Sequence, residues 1–260
     1  MYYIGALTML IISLCVYKKL KLKLFHVFLF TLAAYLSDGL GAFLMGKIYT
    51  ALVASVGGEG EANYSMYGAV FLMPVIVAFS AAIIRQPWRR ILDMVSLSEM
   101  SARMLGKLGC LWSGCCWGFK WEYGLYNRAF KTKMFPSPIP EVTVMLIILI
   151  FGFWFLYKSK KYKPGSLYPV MTLLYASTRF ILEFTRYYEP EHHELFVLGM
   201  TPWQVCSLIA VALSVLWLMA IKQDWLGKAK AYVEVRQAEK AEAERKARAE
   251  KRRNKKKRKR

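Results

Sequence analysis

Cysteine is scarce in this sequence, with five among 260 residues: Cys15, Cys110, Cys115, Cys116 and Cys206. So few, so unevenly spread, exclude a disulfide scaffold. No internal repeat is strong enough to argue from, which counts against a transporter built from related halves. No secretory leader is expected either. Met1 to Tyr17 has neither a basic stretch before its apolar run nor a small-residue cleavage site after it, so the expectation is a retained first span. Acidic residues are few, 17 against 37 lysines and arginines, for a net charge of +20. Much of that excess is local, since Lys222 to Arg260 alone carries a net +11.

What the chain has in abundance is apolar surface. It is 56% hydrophobic and 15% aromatic, with a mean hydropathy of +0.28, above the roughly 45–50% apolar content of soluble domains. A bilayer core of about 30 Å asks for about 20 apolar residues per helix. Seven segments come close: Tyr2 to Tyr17, Phe25 to Val53, Ser65 to Ile84, Val95 to Trp117, Val142 to Tyr157, Ser166 to Phe184 and Thr201 to Ile221. The expected fold is all-α, a polytopic membrane protein of seven transmembrane helices over residues 1–221.

Loop charges set the direction, because cytoplasmic loops collect Lys and Arg. Lys18, Lys19, Lys21 and Lys23 follow span one, Arg85, Arg89 and Arg90 follow span three, and Lys158, Lys160, Lys161 and Lys163 follow span five. The basic tail follows span seven. These alternate with loops holding Glu59 and Glu61, the mixed stretch Phe119 to Pro140, and EPEHHE from Glu189 to Glu194. The pattern predicts an N-terminus outside and a cytoplasmic C-terminus. Residues 222–260 read as a basic tail, helical to about Glu250 and frayed beyond. Such a tail suits anionic lipid, with ribosomal RNA or another polyanion as the alternative and no specific nucleic acid expected.

Ionisable side chains inside spans are costly and mark functional sites. In YASTRFILEFTRYYEP, helical spacing places Tyr175, Arg179, Glu183 and Arg186 on one side. A guanidinium keeps its charge when desolvated and offers a planar fork to phosphate, and Glu183 one turn on orients it. The bland alternative is an Arg–Glu pair that only locks neighbouring spans. Lys107 lies in span four between Gly106 and Gly109, which allow close approach of a helix or a lipid headgroup; otherwise it snorkels. Asp38 and Lys47 form a further interior pair candidate, read as structural.

The stretch GKLGCLWSGCCWG gathers three of the five cysteines. With His192 or His193 these would make a zinc set, but the spacing is not that of a knuckle, and no metal is expected. A disulfide from Cys110 to Cys115 or Cys116 would meet poor geometry if all three shared a helix. Free thiols filling small space beside a headgroup pocket are the default; a reactive Cys115 or Cys116 is the bolder variant. Trp112 and Trp117 suit a membrane interface.

In order, Tyr67-Gly68, GKLGCLWSGCCWG, FPSPIPEV from Phe135, YxxxRFxxEFxR from Tyr175 and LGMTPWQVCSL from Leu198 resemble the prolipoprotein diacylglyceryl transferase family over Tyr2 to Ile221. The resemblance implies seven spans with the N-terminus outside. It also implies transfer of the diacylglyceryl group of phosphatidylglycerol to the lipobox cysteine of a prolipoprotein, with release of glycerol phosphate. The donor is then an anionic phospholipid, the acceptor a prolipoprotein, the location a bacterial plasma membrane, and no cofactor is expected.

Carried across, Tyr67 stands where the family pattern has histidine, Lys107 for arginine, Cys110 and Ser113 for asparagines, and Cys115 for glutamate. Tyr175, Arg179, Glu183, Gly118, Pro136, Ser137 and Glu141 match directly. Arg179, Lys107, Tyr67 and Glu183 are the expected catalytic set. Lys107, Arg179, Tyr175, Cys110, Cys115, Gly118, Ser137 and Glu141 are the expected substrate-binding set. The departures open two alternatives: a divergent paralogue with another acceptor, or a membrane-insertion or assembly factor that uses the basic tail.

Overall fold

The computed structural model describes residues 2–55, 65–187, 199–223 and 236. The expectations for the EPEHHE loop and for nearly all of the basic tail lie outside these. Among the described residues the elements are α1 (Tyr2–Val16), α2 (Leu24–Ser55), α3 (Met66–Ile83), α4 (Trp88–Ser113), β1 (Lys120–Asn127), β2 (Thr132–Met134), α5 (Pro138–Lys158), α6 (Leu167–Glu183) and α7 (Pro202–Lys222). Helix dominates, as the hydropathy pattern predicts. Four of the helices, α2, α3, α5 and α7, are long and apolar enough to cross a membrane, and α1 is a shorter apolar helix. The chain divides into two units, residues 1–218 and residues 219–260. The first holds α1 to α6, the hairpin strands and most of α7.

Sequence patterning explains the arrangement of the helices. Leucine, isoleucine and phenylalanine side chains on α2, α3, α5 and α7 remain exposed, among them Leu32, Leu36, Phe79, Ile150 and Leu213. Those faces suit acyl chains, since lipid is as good a partner for them as protein. By contrast α4 is polar and central. Every residue from Ile91 to Ser101 is buried, and α4 packs on α1, α2, α3, α5 and α6. The apolar helices keep its charges out of hydrocarbon.

One end of the fold is tied by Asp93 of α4. Its carboxylate accepts hydrogen bonds from Tyr162 Oη at 2.9 Å, Gly165 N at 2.7 Å, Leu167 N at 3.0 Å and Tyr168 N at 3.3 Å. These donors include the first amides of α6, which have no partner within their own helix and attract negative charge. Tyr157 at the end of α5 donates to the Cys15 carbonyl at the end of α1 (3.0 Å). The basic segments after α1, before α4 and after α5 therefore lie at a common end.

At the other end the structure departs from the sequence expectation twice. The stretch from Phe119 to Pro140, expected as a loop, contains an antiparallel hairpin with Asn127 opposite Thr132 and Tyr126 opposite Lys133. Asn127 closes its turn: Oδ1 accepts from Ala129 N (2.8 Å) and Phe130 N (3.2 Å), while Nδ2 donates to the Gly114 carbonyl (2.9 Å). The fourth helix also stops at Ser113 rather than Trp117. Gly114 is its left-handed C-cap, with φ +78°, the conformation glycine adopts without steric cost.

Candidate active site

Three elements converge beside that hairpin. Pro138 opens α5 at its first position, where its fixed φ suits a helix and its missing N–H is not needed. This places Glu141 in the first turn, where the helix dipole favours an anion. Ser137 leaves its own helix uncapped and its hydroxyl instead meets Thr185 Oγ1 at 3.2 Å. Gly118 is held by Gly118 N donating to Phe135 O (2.8 Å), and Phe119 N donates to Thr185 O (3.1 Å). A Cβ on Gly118 would stand 2.3 Å from Thr185 O and 2.5 Å from Ser137 Oγ. Only glycine fits where these three segments meet.

Glu141 is the hub. Its Oε2 lies 2.6 Å from Lys107 Nζ of α4, and its Oε1 lies 3.0 Å from Arg186 Nη2 and 3.6 Å from Arg179 Nη1. Arg179 Nη2 is 2.5 Å from Glu183 Oε2, and Thr201 Oγ1 donates to Glu183 Oε1 at 3.3 Å. Lys107, Glu141, Arg179 and Glu183 are all buried. Lys107 and Arg179, nominated separately from the sequence, thus face one carboxylate from two helices. Gly106 is exposed and a Cβ there would meet nothing within 4 Å, so no helix packs closely on it, unlike the approach its sequence context suggests. Three cations face two carboxylates, one positive charge in excess among the described residues.

Tyr67 and Tyr175 flank this centre. The Tyr67 hydroxyl is hydrogen-bonded to Ser207 of α7, and its ring lies 6.5 Å from that of Tyr175. Tyr175 Oη donates only a weak contact to Met66 Sδ, at 3.9 Å.

Arg186 joins the centre although α6 ends at Glu183. Two further turn bonds, Thr185 N to Leu182 O and Arg186 N to Glu183 O, carry the helical path on. Helical spacing from Tyr175 sets it on the same stripe in the sequence, although it stands outside the expected catalytic and binding sets.

A second buried ionic group lies on α4. Arg103 of α4 pairs with Glu99 one turn before it and, at 3.6 Å, with Asp38 of α2; its guanidinium lies 5.5 Å from the Tyr175 ring centroid. The expected Asp38–Lys47 pair gives way to this one. Nine residues at 100° each turn Lys47 about 180° from Asp38, onto the opposite face of the helix, and Lys47 is exposed against Phe43. The i,i+4 spacing of Glu99 and Arg103 could have disclosed the group.

Cys110, Cys115 and Cys116 do not share a helix. The Gly114 turn, followed by Cys116 itself in the left-handed region at φ +63°, folds the last two thiols back towards the first. The three sulfurs lie within 4.8 Å of one another. Cys115 Sγ is 3.2 Å from Ser113 Oγ. Hydrogen bonding with Cys110 and Cys115 holds the Cys116 thiol below its ordinary value, and the contact with Cys116 raises that of Cys115. Of the two tryptophans expected at an interface, Trp112 is 89% exposed and Trp117 is buried.

The prolipoprotein diacylglyceryl transferase family model matches residues 1–220. Phosphatidylglycerol–prolipoprotein diacylglyceryl transferases of two Dehalococcoides mccartyi strains are 29% and 28% identical to the chain over 137 residues, covering 48% of the chain and 48% of each relative. A Clostridium tetani protein of the same name is 29% identical over 102 residues, 37% of this chain and 41% of that one. The chain spans about half the length of the curated relatives it matches.

Proposed function

The chain belongs to the prolipoprotein diacylglyceryl transferase family, and from that premise we propose that it transfers the diacylglyceryl group of phosphatidylglycerol to the lipobox cysteine thiol of prolipoproteins in a bacterial plasma membrane. The observation that carries this reading is the convergence of Lys107, Arg179 and Arg186 on Glu141. Buried ion pairs seldom repay their desolvation, so a cluster of five is a poor device for stability alone. Ionisable groups inside a membrane protein generally serve a site.

In the proposed reaction the acceptor thiolate attacks the glycerol carbon that bears the phosphate. A carbon–sulfur bond forms, the carbon–oxygen bond breaks, and glycerol phosphate departs carrying the electron pair. Negative charge grows on the leaving phosphate, and preorganised cations in a site shielded from water stabilise it far better than exposed ones. Lys107 and Arg179 take that role, with Arg186 as a third donor at the rim. Glu141 and Glu183 keep the cations aimed before lipid arrives, and Gly118 and Ser137 hold the segments that carry them together. Tyr67 serves as a hydrogen-bond donor, since an ordinary tyrosine pKa of about 10 makes it a poor base at neutral pH.

All seven helices cross the bilayer in this reading, with the N-terminus outside, the C-terminus cytoplasmic and the basic tail on anionic lipid. The clustering of basic segments at one end supports it.

The direct test incubates the purified chain with labelled phosphatidylglycerol and a lipobox peptide, with an active homologue alongside. The expected result is one diacylglyceryl adduct on the peptide thiol. No mass gain while the homologue works would overturn the proposal.

A second reading keeps the lipid donor and changes the acceptor. It is favoured by Tyr67, whose hydroxyl is held by Ser207 where the family resemblance places a histidine. A panel of thiol and amine acceptors separates the two, because label on a non-lipobox acceptor alone supports the second.

A further inference from the structure

We propose that Cys110, Cys115 and Cys116 form a three-sulfur binding site for a soft, thiophilic d10 metal ion, with copper(I) the best match. The observation is geometric. Ions of this class bind thiolate at about 2.3 Å, and three ligands at that distance around one centre stand about 4 Å apart. The three sulfurs already lie within 4.8 Å of each other. The remaining difference between sulfurs is at most about 0.8 Å.

The chain reaches this arrangement through two closely spaced exceptions to ordinary backbone behaviour. Gly114 and Cys116 both occupy the left-handed region, which costs a non-glycine residue about 1 kcal/mol or more. The turn is fixed from outside by Asn127 Nδ2 on the Gly114 carbonyl and by Arg186, whose guanidinium donates to the Cys116 carbonyl. Linear spacing, CxxxxCC, conceals the convergence that the turn creates.

Donor type selects the ion. No carboxylate or imidazole belongs to the cluster among the described residues, and an all-sulfur set favours copper(I) over harder ions. Copper(I) is content with three ligands, whereas zinc ordinarily takes a fourth. Ser113 Oγ, 3.2 Å from Cys115 Sγ, supplies the outer hydrogen bond that orients a ligating sulfur. Lys107, one turn before Cys110, and Arg186 lie beside the cluster while facing Glu141. Cys115 and Cys116 are exposed, so an ion has a path of entry.

The test uses the full chain, purified in detergent with a phosphine reductant and kept free of oxygen. Copper(I) is titrated in competition with a coloured copper(I) chelator. One ion per chain is expected, and Cys110→Ser, Cys115→Ser and Cys116→Ser should each weaken binding about tenfold or more. Cys15→Ser and Cys206→Ser should leave it unchanged.

A second measurement needs no substitution. Copper(I) should protect Cys110, Cys115 and Cys116 of the unaltered chain, and not Cys15, from alkylation read by mass spectrometry. Failure to compete with the chelator, or binding that survives Cys116→Ser, overturns the proposal. So does finding Cys110 joined to Cys115 or Cys116 by a disulfide in protein isolated without reductant. None of these readouts depends on lipid transfer, so the metal site and the transferase reading fail independently.

Discussion

Two buried carboxylates sit in very different company. Asp93 is 0% exposed and Glu141 2% exposed, so both have surrendered hydration. Asp93 is answered by four uncharged donors, three of them backbone amides. Glu141 is answered by three cations supplied by α4 and by the end of α6. The first arrangement is saturated and contains nothing a ligand would want. The second holds more positive charge than its two acids cancel, so an incoming phosphate has partners waiting. Depth of burial therefore says little about role, and the identity of the answering groups says much.

Substitutions at the two ends should separate accordingly, and the largest effect belongs to the cationic centre. Arg179→Ala should lower lipid transfer by about 10²–10³-fold, the scale expected when one preorganised donor to a developing anion is lost. Initial rates on phosphatidylglycerol vesicles measure this, and a normal gel-filtration profile excludes misfolding. Equal rates for Arg179→Ala and the unaltered chain would erase the contrast.

Gly118→Ala comes next. The added carbon must displace Thr185 O or Ser137 Oγ, moving the segment that carries Arg186. Transfer should fall about tenfold, equivalent to about 1.4 kcal/mol in the barrier, with thermal stability also lowered.

Asp93→Asn should do the opposite. One carboxylate oxygen becomes an NH₂ group facing donors, leaving buried hydrogen bonds unmade at about 1–3 kcal/mol. Thermal unfolding in detergent should shift downwards while the transfer rate per folded molecule is retained. A rate loss beyond the loss of folded protein would place Asp93 in the site. The smallest effect belongs to Lys47→Ala. An exposed lysine against Phe43 should change both quantities within error, and a larger change would revive its pairing with Asp38.

The sequence discloses the helices well, because hydrophobic stretches long enough for a bilayer are hard to disguise. It also discloses the Arg179–Glu183 pair, since i,i+4 neighbours meet whatever else the chain does. Three features stay hidden. Glu141 is visible as a residue but not as a hub, because its partners come from elements far from it in the chain, on either side. Arg103 is hidden because its cross-helix partner, Asp38, lies on α2, far from it in the chain. The thiol cluster is hidden by a reversal at Gly114, since a glycine within a small-residue run carries no mark that it turns left-handed.

In the proposed topology, where α4 crosses the bilayer, its burial bears on how the protein enters the membrane. A charged residue near mid-bilayer costs about 2.5–3.5 kcal/mol on insertion scales, and α4 carries Asp93, Glu99, Arg103 and Lys107 on buried positions. On its own it has little reason to leave the translocation channel for lipid. Its earlier and later neighbours, α1, α3 and α5, must receive it as a group. In that topology biogenesis would be a concerted handover, with α5 synthesised before α4 settles.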